Sequence, residues 1–177
     1  MCHLMGSEKG TSRPIRFLGD PVLRTVCDRV TTFGADLKRL VDDMFVSMYD
    51  ARGAGLAANQ IGVSLRVFVY DCADDDGNRQ IGYVINPVLV ADGELVVDEE
   101  GCLSLPGLHF PTPRHMRATV EGVDVEGRPV RVTGTGELAR CLQHETGHLN
   151  GKVYIDMLSG DTRRAALRAI RAAQTWT

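Results

Sequence analysis

The stretch Gly136-Glu137-Leu138-Ala139-Arg140-Cys141-Leu142-Gln143-His144-Glu145-Thr146-Gly147-His148-Leu149-Asn150-Gly151 decides how the chain is read. Gly136 to Asn150 predicts a helix, and Gly151 is a stop signal. Leu138, Cys141, His144, Glu145 and His148 fall on one stripe of that helix. Histidines four residues apart lie one above the other, so both imidazoles can reach one metal ion. The glutamate beside the first can serve as a general base toward water near that ion. These groups on a core-facing stripe are costly unless they are paired or bind a cation. Short patterns also arise by chance, so His144 to His148 alone leaves packed, non-ligating side chains open as a reading.

A catalytic metal held this way needs a third protein ligand and an open position. No His, Glu or Cys follows His148, and the only downstream acids are Asp156 and Asp161. Tyr154 stands where one large group of zinc proteases carries its third histidine. The third ligand is therefore expected upstream, and Cys102 is the best candidate. It sits in Glu100-Gly101-Cys102-Leu103-Ser104-Leu105-Pro106, after a strand and before a Pro/Gly-rich loop. Thiolate is a soft ligand suited to iron, zinc, nickel or cobalt. Cys2, Cys27, Cys72 and Cys141 read as small buried hydrophobes. A further segment, Gly53-Ala54-Gly55-Leu56-Ala57-Ala58-Asn59-Gln60, has side chains small enough for close backbone approach to a peptide-like ligand. Gln60 can donate an amide N–H to a developing oxyanion. Taken alone, the segment also reads as a tight turn.

Around these segments the pattern is α+β. Leu37, Leu40, Val41, Met44, Phe45, Met48 and Tyr49 form an apolar stripe and predict a helix over Ala35 to Ala51. Short β-type runs cover Arg66 to Tyr70, Gly82 to Val90, Glu94 to Asp98, Arg117 to Asp124 and Pro129 to Thr133, with Gly, Asn and Asp clusters between them. Their close spacing without intervening helices favours antiparallel pairing. Asp161 to Ala173 predicts a last helix. The expected architecture is antiparallel β-sheets packed around a central metal-binding helix, flanked by an N-terminal and a C-terminal helix.

The chain has 177 residues, 44% of them hydrophobic and 24% charged, which suits one globular domain. Residues 1–14 read as a flexible extension and 15–177 as a single catalytic domain. With 23 acids against 20 bases the net charge is −3, which points away from a DNA-binding or membrane-surface protein. The longest charge-free stretches, Gly53 to Leu65 and Gly101 to Pro113, are 13 residues each, too short to span a bilayer. Met1 to Arg13 lacks a signal-type apolar segment. Five scattered cysteines argue against a disulfide framework, so a reducing cytoplasm is expected.

In this order, Gly53 to Gln60, Glu100 to Ser104 and His144 to His148 resemble the peptide deformylase family, marked by GxGLAAxQ, EGCLS and HExxH. Gly19-Asp20-Pro21-Val22-Leu23-Arg24 also looks like the family's opening, and the resemblance covers about Ile15 to Leu158. It implies removal of the formyl group from N-formylmethionyl nascent peptides, with release of formate. Cys102, His144 and His148 would hold one divalent metal, Fe2+ natively, with Zn2+, Ni2+ or Co2+ possible in a purified sample. Glu145 would take a proton from the attacking water and pass it to the leaving amine. Gln60 and the backbone N–H of Leu103 would help hold the oxyanion. Gly55, Leu56, Gly107 and Cys141 would contact the substrate, an extended peptide adding like a strand near Gly55 and Gly107. Glu100 needs a cationic partner beside the thiolate, and the family pattern makes it Arg114.

The chain departs from the family form at four positions. Gly147 replaces a common Asp, in a place expected to point away from the metal. Glu137 and Arg140 stand where some members have apolar pocket residues, and His109 where some have arginine. Arg163, Arg164, Arg168 and Arg171 on the last helix read as a solvated face, with a weak contact to ribosomal RNA as the alternative. A different zinc peptidase or amidase lacks its downstream ligand here. A binding protein without activity would be expected to have lost Glu145, Gln60 or a ligand.

Overall fold

Apolar runs of period two pair with their neighbours in sequence. The computed structural model describes residues 10–173 and 176. Among them five strands form one antiparallel sheet in the order β1-β2-β3-β4-β5: β1 Gly55–Ala57, β2 Val67–Ala73, β3 Arg79–Cys102, β4 Leu105–Val123 and β5 Pro129–Thr135. Three helices join them: α1 Ala35–Asp50, α2 Gly136–Leu149 and α3 Gly160–Ala172.

β2 sets the layering. Val67 and Val69 face one side of the sheet and pack in a cluster with Leu37, Leu40, Met44 and Met48 of α1. Phe68 and Tyr70 face the other and pack with Leu138, Ala139, Leu142 and Leu149 of α2. The strand is thus covered on both faces, which is why it reads as a continuous apolar run. A third cluster, Leu105, Val153, Tyr154, Ile155, Leu158 and Ala166, anchors α3.

The structure corrects several boundaries. The expected sheets are one sheet, because the runs Gly82 to Val90 and Glu94 to Asp98 belong to the single strand β3. Asp92-Gly93, predicted as a break, is a bulge: the register shifts between Asp92 and Leu95, and Gly93 takes φ +80°. Another shift follows Ile85, where Asn86 sits at φ +54°. Its side chain accepts from Val30 N (2.8 Å) and donates to Val30 O (3.0 Å). The segment Gly107 to Phe110, predicted as loop, lies within β4. Prolines suggested a break there. However, His115 N–H, two residues beyond Pro113, donates to Gln143 Oε1 (3.0 Å) rather than to β3. Pro111 and Pro113 share that parity, so their missing N–H groups lie on the side of β4 without a strand. The segment beginning at Gly53, which alone also reads as a tight turn, holds β1 and leads into a short 3-10 turn, Ala58–Ile61.

Residues 1–9, including Cys2, lie outside the described residues. The end of the expected extension belongs to the folded body. Thr11 N–H donates to Asp43 Oδ1 (2.7 Å), and Arg13 Nη2 pairs with Asp43 Oδ2 (2.6 Å). No helix among the described residues is long and apolar enough to cross a membrane.

Candidate metal centre and active site

α2 carries polar groups on its buried stripe, and each is positioned by a neighbouring element. Gln143 docks the helix on β4: its amide donates to His115 O (2.9 Å) and accepts from His115 N (3.0 Å). At the C-terminal end, free carbonyls find partners. Asn59 Nδ2 donates to His148 O (2.8 Å), while Cys27 N (2.9 Å) and Arg66 Nη1 (3.0 Å) donate to Leu149 O. These ties fix the register at which His144, Glu145 and His148 meet the sheet.

Cys102 is delivered by the reversal from β3 to β4, where it pairs with Leu105 across Leu103-Ser104. Its Sγ lies 3.3 Å from His148 Nε2, and His148 Nε2 lies 3.1 Å from His144 Nε2. The three donor atoms fall within 4.8 Å of one another. His148 is fully buried, and its Nε2 faces two other electron-pair donors. A cation among them satisfies all three, and one thiolate with two imidazoles suits a borderline-soft divalent metal. The donor set therefore fits a metal.

Glu100 organises the surroundings. His144 Nδ1–H donates to Glu100 Oε1 (2.5 Å), which directs His144 Nε2 toward Cys102 and His148. Arg114 donates through Nη2 to Oε1 (2.6 Å) and through Nε to Oε2 (3.0 Å). Burial pushes the Glu100 carboxyl up, but hydrogen bonds from His144 and Arg114 outweigh it and hold it at about 2. The expected Glu100–Arg114 pair is present, with His144 as an additional partner. Sequence reasoning missed Arg140. It lines the cleft and also buttresses the site: its guanidinium donates to Val96 O (3.2 Å), Asp98 O (3.1 Å), Thr112 O (2.6 Å) and Glu100 Oε2 (3.2 Å). The signal was a long cation on the stripe of a buried helix, one turn before His144. Tyr154 was also missed as a neighbour; its ring stacks on His144 at 6.2 Å between centroids.

Glu145 is buried, and its Oε2 has no hydrogen-bond partner among the described residues. Burial pushes its carboxyl up to about 7, against the pull of His144. Gln60 is aimed by the backbone three residues before it: Ala57 N–H donates to Gln60 Oε1 (3.0 Å). Its Nε2 is thereby turned toward Ser104 Oγ (3.1 Å) and Cys102 Sγ (3.7 Å). Gly55 leaves room for the base, since a Cβ there would lie 2.7 Å from Glu145 Oε1 and 2.8 Å from Cys141 Sγ.

These groups open on a cleft of about 730 Å³. Gly55, Gln60, Cys102, Leu103, Gly107 and Cys141 line it. Leu56 does not: its side chain is fully buried in the α1 cluster, so only its backbone on edge strand β1 is left for a substrate. Cys27 is core as expected, but Cys72 and Cys141 are partly exposed in the cleft wall. His109 and Glu137 are exposed at its rim. A Cβ at Gly147 would meet nothing within 4 Å, so this position faces away from the ligands as expected.

Over residues 12–164 the sequence matches the family described as polypeptide deformylase. The chain is 58% identical to peptide deformylase 2 of Streptomyces avermitilis over 161 residues, covering 90% of this chain and 87% of that protein. It is 55% identical to the peptide deformylase of a Parafrankia species, covering 92% and 87%. Among solved structures, the Thermus thermophilus peptide deformylase superposes with a TM-score of 0.83 at 43% identity, covering 92% of this chain and 95% of that one. The Synechococcus elongatus enzyme, solved in complex with actinonin, gives 0.83 at 34% identity, covering 95% and 94%.

Proposed function

We propose, from the premise that this chain belongs to the polypeptide deformylase family, that Cys102, His144 and His148 hold its metal and that Glu145 moves the proton. The chain is a metal-dependent hydrolase that removes the N-formyl group from the formylmethionine of newly made proteins. The observation that carries the residue assignment is three ligand atoms converging beside a buried carboxylate with one free oxygen.

When bound, the metal supplies positive charge that acidifies water and polarises a carbonyl. His144 and His148 present Nε2 to it, and Glu100 holds the His144 tautomer that makes this possible. Glu145 Oε2 receives a proton from the water that attacks the formyl carbon. The same carboxyl then protonates the leaving amine, and formate departs. Gln60 Nε2 and the backbone N–H of Leu103 donate to the developing oxyanion. The substrate lies along β1, whose outer edge pairs with no strand among the described residues, with Gly55, the Leu56 backbone and Gly107 as backbone contacts and Cys141 beside the methionine.

Fe2+ is the native metal in this reading, with Zn2+, Ni2+ or Co2+ able to replace it. Nascent chains arise at ribosomes, so the enzyme works in the cytoplasm. Arg164, Arg168 and Arg171 are exposed on α3 and support a weak, salt-sensitive ribosome contact. Co-sedimentation with ribosomes that does not weaken from low to moderate salt would count against that contact.

The reading is tested by measuring metal content and formate release together, on enzyme purified without air. Formylmethionyl tripeptide and its unformylated counterpart are compared. The expected result is one metal per chain and formate only from the formylated peptide. A Cys102→Ala variant that keeps both metal and activity would overturn the ligand set.

A further inference from the structure

Three cysteines line one cleft: Cys72, Cys102 and Cys141. Cys102 belongs to the metal centre, whereas Cys72 and Cys141 have no proton or metal role in the reaction above. We propose that Cys72 and Cys141 are a modification site, a thiol pair that closes to a disulfide across the β2–α2 seam when a peroxide reaches the cleft.

The placement follows from strand alternation. Phe68, Tyr70 and Cys72 share the face of β2 that packs on α2. Cys141 lies on α2, one turn before His144. Both cysteines pack at the edge of the same apolar cluster. The Cys141 thiol reaches Ala54 O (3.8 Å), the oxygen that also accepts the N–H of Asp71 (2.8 Å), the residue before Cys72. The Cys72 side chain and burial both push the Cys141 thiol up. Both are partly exposed, in contrast to Cys27, which is 3% exposed in the core.

The chemistry balances with the oxidant alone. Cys72, at the open end of β2, attacks the peroxide O–O bond as thiolate and becomes a sulfenic acid, while water leaves. The Cys141 sulfur then displaces the sulfenic oxygen, which departs as a second water carrying the Cys141 proton. Two thiols and one hydrogen peroxide become one disulfide and two waters. In a reducing compartment such a bond is transient and is reversed by thiol exchange. Cys141 Sγ and Glu145 Oε1 both crowd the same point above Gly55. Drawing that sulfur toward β2 reshapes the wall beside the general base, so activity falls on oxidation and returns on reduction.

The test uses zinc-loaded enzyme, so that iron does not decompose the oxidant. It is treated with hydrogen peroxide, alkylated and digested. The expected product is a cross-linked peptide joining the Cys72 and Cys141 segments, lighter by two hydrogens and abolished by dithiothreitol. Formate release should fall in step with the cross-link and recover on reduction. Cys72→Ser should lack the cross-link and hold its activity under the same treatment. Cys72 and Cys141 both remaining alkylatable, or a cross-link through Cys102 instead, would overturn the proposal. So would equal loss of activity in Cys72→Ser.

Discussion

α1 and α2 pack on opposite faces of the same strand, β2, and each turns one stripe toward it. The α1 stripe is Leu37, Leu40, Val41, Met44, Phe45 and Met48. Its two buried polar residues are both used in folding. Asp43 and Ser47 accept the N–H groups of Thr11 (2.7 Å) and Arg13 (2.9 Å) and fasten the N-terminal segment. The α2 stripe buries Arg140, Gln143, Glu145, Thr146 and His148. Arg140 and Gln143 are fully engaged, but Glu145 Oε2, Thr146 Oγ1 and His148 Nδ1 have no hydrogen-bond partner among the described residues. An unpaired buried polar group costs about 1–3 kcal/mol. One helix is thus composed for stability, and the other gives up stability to place reactive groups inside the fold.

Substitutions should separate the two helices. The largest effect is expected from His148→Ala or from chelation. Either should abolish formate release, and adding back iron, nickel or zinc should restore the chelated wild type but not the variant. On the other side of β2, Met44→Ala should lower unfolding free energy by about 2–5 kcal/mol, since Met44 is fully buried. Its kcat/KM per folded molecule should stay near wild type, measured below the unfolding transition. A Met44→Ala enzyme with a specific catalytic defect would break the division between the helices. Arg114→Ala sharpens it within the site. Removing this partner of Glu100 should weaken metal retention by about 10–100-fold, read by competition with a chelating dye. The smallest effect should come from Arg13→Ala. Its side chain is 38% exposed and its partner Asp43 keeps the Thr11 N–H (2.7 Å), so water can replace the guanidinium and stability should fall by about 1 kcal/mol in denaturant titration, with activity unchanged.

The same contrast explains what the amino-acid sequence discloses. The α1 stripe and the α2 ligand pair are local periodicities, so both could be read within a few residues. Cys102 required elimination across the chain, because its partners lie 42 and 46 positions away in sequence. Asp92-Gly93 looked like a break between two strands, but a bulge uses the same residues to keep one strand running. Arg140 looked like a departure in a substrate pocket. It does line the cleft, but it also binds carbonyls of Val96, Asp98 and Thr112, which come together only when β3 and β4 pair. Leu56 sits in a segment whose backbone faces the cleft, yet strand alternation sends its side chain into the α1 core. Long-range pairing therefore decided whatever local pattern left open.

The most direct test of the account compares Glu145→Ala with wild type in two measurements on one sample: formate release and the midpoint of thermal unfolding, both with metal content matched. The expected result is a loss of kcat of roughly a thousandfold with a midpoint equal to or above that of wild type, because the variant removes a buried carboxyl with an unpaired oxygen. Activity retained, or activity lost only in proportion to a collapse in stability, would contradict the claim that α2 holds Glu145 inside the fold for its chemistry.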